Sequence, residues 1–148
     1  MEIKSWEEYF LDLAKTCASR SNCLRAQVGA VIVGDDKKIK ATGYNGTPSK
    51  VESCYERGKC YRMEHCIPSG TCYETCRSIH AEQNAIIQAG QDRCKGSTMY
   101  IWGHNIICIL CKRFIVQSGI KDVYLKKDEN ADVVHVTVED IRKELDEM

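Results

Sequence analysis

The chain has 148 residues, the size of one domain with room for a single sizeable core. Lys+Arg and Asp+Glu each count 21, so the net charge is zero, which argues against a nucleic-acid binder that works through a broad basic field. Charged residues make up 28% and hydrophobic ones 43%, a balance that argues against wholesale disorder. No apolar run approaches the ~20 residues of a membrane span, and the N-terminal MEIKSWEEYF lacks a secretory pattern, so a cytoplasmic location is expected. In that setting ten cysteines point to metal or thiol chemistry rather than to a disulfide framework.

The first predicted element is a helix. Ser5 is placed to cap it and Glu8 to complete a capping box, while Trp6, Tyr9, Phe10, Leu13 and Cys17 recur at helical spacing as its apolar face. Val28 to Val33 is a short run rich in β-branched residues and reads as a buried strand. Gly34 to Lys37 makes a turn, and Lys38 to Tyr44 reads as the antiparallel partner. Residues 45–77 then break the rhythm with both prolines, three glycines and five cysteines (Cys54, Cys60, Cys66, Cys72, Cys76). So long a segment with little apolar content cannot order itself around a core, and its cysteines suggest a metal staple.

Regular structure returns with a predicted helix over Ile79 to Ala89, stopped by Gly90. A strand over Thr98 to Trp102, a helix over Cys108 to Ser118 and a strand over Asp122 to Lys126 follow. A short strand over Val133 to Val136 precedes a last helix, capped by Thr137 with Ile141 and Leu145 inward. Strands alternating with helices imply a largely parallel sheet covered by helices, in one α/β domain over 1–148.

Two strings carry the chemistry: SIHAEQNAII, with His80 and Glu82, and GHNIICILCKR, with Cys108 and Cys111. One imidazole and two thiolates supply three zinc ligands and leave a fourth tetrahedral position for water, which separates catalytic from structural sites. Cys108 and Cys111 fall in the first turn of a helix, where both thiols can face one point and the positive helix end favours thiolate. His80 and Glu82 do not share a helix face. They converge only if the metal lies off the helix start, which leaves Glu82 to contact the water rather than the ion. A carboxylate there can take the water's proton and pass it to a ring nitrogen and a departing amine.

H-A-E followed by C-x-x-C resembles the signature of zinc nucleobase deaminases. With RSNCLRAQVGAVIV (20–33), GYNGTP (43–48) and CIPSG (66–70), the chain resembles the deoxycytidylate (dCMP) deaminase family over most of its length. The resemblance implies a cytidine deaminase-like three-layer α/β/α sandwich around a mixed sheet of about five strands. It implies that His80, Cys108 and Cys111 hold a catalytic zinc, that Glu82 shuttles protons, and that Asn45 and Ala81 contact the nucleotide. Asn45 in G-Y-N-G also reads simply as a turn residue. Arg25 is the candidate for the substrate phosphate, since a guanidinium suits phosphate oxygens. Homo-oligomers, commonly hexamers, with dCTP and dTTP as effectors are implied too. A structural zinc of the family type would use Cys23 and Cys54, joined by two of Cys60, Cys66, Cys72 and Cys76, of which Cys60 and Cys76 are the choice.

Three departures stand out. Ile107 occupies the place of the usual proline, the segment from Tyr100 to Cys108 is about two residues longer than the family pattern, and Gln91 stands where phage-type members carry arginine. The longer loop brings Trp102, His104 and Asn105 toward the pocket wall and leaves the exact nucleotide open. The leading expectation is hydrolytic deamination of dCMP to dUMP and ammonia. A deaminase of another cytosine nucleotide such as dCTP, and a non-catalytic zinc-stapled binding module, are the alternatives.

Overall fold

The computed structural model describes residues 1–148. Helix α1 (Trp6–Ala18) begins at Ser5, whose Oγ accepts from the Glu8 amide at 3.2 Å. Its inward face is Phe10, Leu11, Ala14 and Ala18, whereas Trp6 and Tyr9 stay largely exposed. The stripe is thus rotated from the one predicted, because two alanines let the helix lie close on the sheet. Leu13 and Cys17 remain at its margin.

Strands β1 (Gly29–Val33) and β2 (Ile39–Tyr44) form the expected antiparallel hairpin, with β1 buried throughout. The segment after β2 is less irregular than its composition suggests. It holds two one-turn helices, α2 (Cys54–Arg57) and α3 (Tyr61–Glu64), and a 3-10 turn at Tyr73–Thr75. Its base is closed by reciprocal backbone bonds between Gly46 and Ile79 at 3.1 and 2.8 Å. Its middle is gathered by Arg62, whose Nη2 donates to the carbonyls of Pro68 (3.3 Å) and Thr71 (3.0 Å).

Helix α4 (Ala81–Ala89), the short α5 (Gln91–Cys94) and β3 (Thr98–Trp102) follow, then α6 (Ile109–Ser118), β4 (Asp122–Lys126), β5 (Val134–Thr137) and α7 (Val138–Asp146). The strand order is β2-β1-β3-β4-β5. Of these pairings only β3 with β4 is parallel, which corrects the expectation of a largely parallel sheet. The β3-α6-β4 crossover joins neighbouring strands, whereas the crossover from β2 through α4 to β3 passes over β1, which runs antiparallel to both. Residues 127–133 carry no helix and turn β5 back antiparallel.

Helix α1 packs on one face of the sheet, over a small core of Phe10, Leu11, Ala14, Val31, Val33 and Tyr100. Helices α4, α6 and α7 cover the other face, over a larger core that includes Ile32, Met99, Ile101, Ile115, Val123 and Ile141. This is a three-layer α/β/α sandwich with a mixed sheet. Contact between β2 and α4 is close: a Cβ on Gly43 would lie 2.4 Å from the Ala81 carbonyl oxygen and 2.6 Å from the Ala85 nitrogen. A bare backbone at Gly43 therefore fixes where the first turn of α4 sits. No helix is long and apolar enough to cross a membrane.

Candidate active site

Helices α4 and α6 pack together and begin at the same place. His80 is the N-cap of α4 (φ −71°, ψ 152°), with its amide donating to Gln83 Oε1 at 3.0 Å. Cys108 is the N-cap of α6, one residue before the helix proper, and its Sγ accepts from the Cys111 amide at 3.4 Å. His80 Nδ1 lies 3.3 Å from each of the Cys108 and Cys111 sulfurs, and all three ligand atoms fall within 4.8 Å of one another. The extended backbone of an N-cap aims its side chain back along the helix axis, toward the positive end of the dipole. Two such ends meeting at one point form a natural seat for thiolate.

Cys108 is drawn down to about 4 by the hydrogen bond from Cys111, against the opposing effect of burial and with further help from His80. Cys111 is pushed up by the same bond and by burial. For His80, burial pulls downward but is outweighed by the hydrogen bond and charge of Cys108, so the imidazole is raised. One nitrogen and two sulfurs, one of them already a thiolate, suit a borderline-soft metal such as zinc and leave a coordination position free. The His80, Cys108 and Cys111 cluster fits a zinc site.

Glu82 stands two residues into the same region, 2% exposed, and is not a member of the ligand cluster. It borders two adjoining cavities of about 400 and 480 Å³, both of which also contain His80, Tyr73 and His104. The larger is walled by the loop from Gly103 to Ile107, so His104 and Asn105 face the pocket, whereas Trp102 packs on the α1 side of the sheet. Gly103 holds φ 106°, and a Cβ there would meet the Gln27 carbonyl oxygen at 2.4 Å. Ile107 is 4% exposed and packs into the larger core, which absorbs the missing proline.

The smaller cavity gathers Asn45, Ala81 and Arg25 beside Glu82, so the sequence-predicted substrate residues come together. Asn45 is largely committed to the backbone: its Oδ1 accepts from the Val28 amide at 2.9 Å and its Nδ2 donates to the Ala26 carbonyl at 2.8 Å. One Nδ2 proton remains for a ligand. Ala81 is the first residue of α4, where an amide has no intrahelical acceptor. Gln91 lies away from the pocket, its Nε2 donating to the Gln117 carbonyl at 3.1 Å.

The four cysteines of the second expected ligand set border two adjoining cavities. Cys54, Cys60 and Cys76 line one cavity of about 260 Å³, and Cys23 borders the neighbouring cavity together with Cys76. No further group of three ligands is drawn within 4.8 Å as His80, Cys108 and Cys111 are. Capping by Ser53 and the Arg62 carbonyl bonds also order this segment.

Two pocket residues had escaped the sequence reading. Tyr73 sets its ring edge-on to His80 at 4.6 Å between centroids, and the Arg62 guanidinium lies 4.7 Å over the Tyr73 ring. Burial, then the charge of Cys108, raises the Tyr73 hydroxyl. Nothing local in the string YRMEHC marks Arg62, since its hydrogen-bond partners are carbonyls that any residue carries.

Residues 4–127 match the family model described as the zinc-binding region of cytidine and deoxycytidylate deaminases. A deoxycytidylate deaminase of Schizosaccharomyces pombe is 39% identical over 128 residues, covering 86% of this chain and 39% of the yeast protein. The chain thus spans about two fifths of that relative's length. The deoxycytidylate deaminase of Mycobacterium phage D29 is 34% identical over 130 residues, covering 86% of this chain and 99% of the phage protein. Among solved structures, a dCMP deaminase from the cyanophage S-TIM5 in complex with dCMP and dUMP superposes with a TM-score of 0.59 at 27% identity, covering 84% of this chain and 83% of that one.

Proposed function

The chain belongs to the cytidine and deoxycytidylate deaminase zinc-binding family, and from that premise we propose that it hydrolyses dCMP to dUMP and ammonia. The observation that carries this reading is the meeting of two helix starts at His80, Cys108 and Cys111 with buried, non-ligating Glu82 beside them. Zinc, when bound there, supplies Lewis-acid activation of water at neutral pH. Glu82 takes one proton from the attacking water and passes it to the ring nitrogen next to the reacting carbon, then takes the second from the new hydroxyl and delivers it to the amino group, which leaves as ammonia. Water's oxygen stays on the ring as the new carbonyl, so the atoms balance.

In this proposal the Ala81 amide takes the base carbonyl, the remaining Asn45 proton the sugar and Arg25 the phosphate; their lining of one cavity supports it. Glu82 is the catalytic residue in this proposal, and His80, Cys108 and Cys111 are the zinc ligands. A second, structural zinc at Cys23, Cys54, Cys60 and Cys76 belongs to the same proposal; two firmly held zinc ions per chain, measured on metal-loaded protein, are expected, and a firm value of one with the catalytic site full sinks it. Assembly into a homo-oligomer, hexameric by resemblance, regulation by dCTP and dTTP, and a cytoplasmic location belong to the same proposal.

The longer loop at 103–107 favours keeping dCTP, or another cytosine nucleotide, as the second reading, because it reshapes the wall beside Glu82. Ammonia release from cytidine, CMP, dCMP, dCDP and dCTP by the zinc-loaded chain, with and without dCTP as effector, is the test. Fastest turnover of dCMP is expected. A preference for dCTP would move the assignment, and no release from any of them would end it.

A further inference from the structure

Resting on the deaminase reading, we propose that Arg62, carried by the cysteine-rich insertion, is a specificity-determining residue: with Arg25 it holds the substrate's phosphomonoester dianion and makes the site select a nucleotide over a nucleoside. The starting observation is an electrostatic imbalance. Arg62 is 6% exposed, and none of the chain's ion pairs includes it or Arg25. A buried charge without a counter-charge is costly; two carbonyls and the Tyr73 ring offset part of that cost for Arg62, and an arriving anion offsets more.

The guanidinium is also under-used. Its Nη2 serves Pro68 and Thr71, while Nε is buried with no partner, and Arg25 Nη1 is buried with no partner as well. Both arginines border the cavity that holds His80 and Glu82. Glu82 is the one acid on that wall, and proton transfer already claims it. Two guanidinium groups with spare donors match the tetrahedral oxygens of a phosphate, which arginine binds in a forked geometry.

The position of Arg62 is set from the reaction centre. Its guanidinium lies over Tyr73, and Tyr73 stands edge-on against the metal-binding imidazole of His80. The carbonyls of Pro68 and Thr71 hold the other side of the group. An arginine fixed in this way measures the distance from the reacting ring to a phosphate, and the insertion becomes part of substrate recognition rather than a decoration.

The test is steady-state kinetics of the zinc-loaded full chain and its Arg62→Gln and Arg62→Lys variants on dCMP and on deoxycytidine. Loss of a charged hydrogen-bonding group predicts a fall of about 10- to 100-fold in kcat/KM for dCMP, carried by KM. The ratio of kcat/KM for dCMP to that for deoxycytidine should fall about tenfold or more, and lysine should recover part of the loss that glutamine causes. Equal falls on both substrates, or no change in their ratio, overturn the proposal. Should neither variant fold, hydrogen exchange of the parent decides: dUMP must protect residues 61–73 and deoxyuridine must not, and equal protection overturns it. A parent that deaminates no nucleotide yet shows that dUMP-specific protection sinks the deaminase reading while supporting the anion site.

Discussion

His80 and Cys108 share a feature that explains their chemistry: each is the last non-helical residue before a helix. From that position a side chain reaches past the helix end, so ligands from two helices can meet without crowding the backbone. Glu82 follows one helical residue later and borders the cavity beside the ligand cluster. Glu82→Gln keeps size and burial but removes the proton acceptor. It should lower kcat about a thousand-fold or more, with zinc content and melting temperature unchanged, as read by ammonia release and metal analysis. This much was legible beforehand, because residues two apart on a helix cannot share a face and the H-A-E spacing makes sense only at a helix start. The double commitment of Asn45 to Val28 and Ala26 was not legible, since it depends on which loop the fold brings beside β2. Arg62 was hidden for the same reason: its charge is visible in the string, its burial is not.

Among the elements, α4 depends most on its neighbour. With 2.4 Å between an added Cβ and the Ala81 carbonyl, Gly43→Ala must push the first turn of α4 off β2. Overpacking of this kind costs about 1–3 kcal/mol, measurable by urea unfolding, and because Ala81 adjoins His80 and Glu82 the variant should also hold zinc more weakly. Restored zinc affinity without restored stability would dissociate the two effects and refute the shared cause. The elements themselves were legible where residue chemistry punctuates the chain: Ser5, Gly90, Gly119 and Thr137 mark helix ends that the structure keeps. The rotation of α1 was missed because Ala14 and Ala18 carry little hydrophobic weight yet permit close approach. Sheet direction was missed at β5, where the turn through residues 127–133 decides the pairing and the strand's own sequence does not.

At the scale of the whole molecule the two faces of the sheet are unequal. Three helices cover the catalytic side, and α1 covers the other across a ladder of rings running Phe10 to Tyr100 (5.1 Å), Tyr124 (5.3 Å) and His135 (4.4 Å). Burial, helped by the charge of Glu7, pushes the Tyr100 hydroxyl up from 10 to about 12. The unfolded chain therefore loses this proton first as pH rises. The stabilisation is fully present below pH 10 and is lost as pH climbs through about 12. Tyr100→Phe removes that contribution, so the midpoint of alkaline unfolding should move upward, as followed by circular dichroism across that range. An unchanged midpoint would mean that some other group governs the alkaline transition. Both tryptophans of the chain belong to this thinner side: Trp6 stacks on Phe10 at 5.5 Å, and Trp102 packs beside the same small core with Lys15 over its ring. Intrinsic fluorescence is accordingly a gauge of α1's docking. Stripping the ion from the opposite half should leave the native emission nearly unchanged, so a shift in the folded protein's emission on chelation would show that α1 itself had moved.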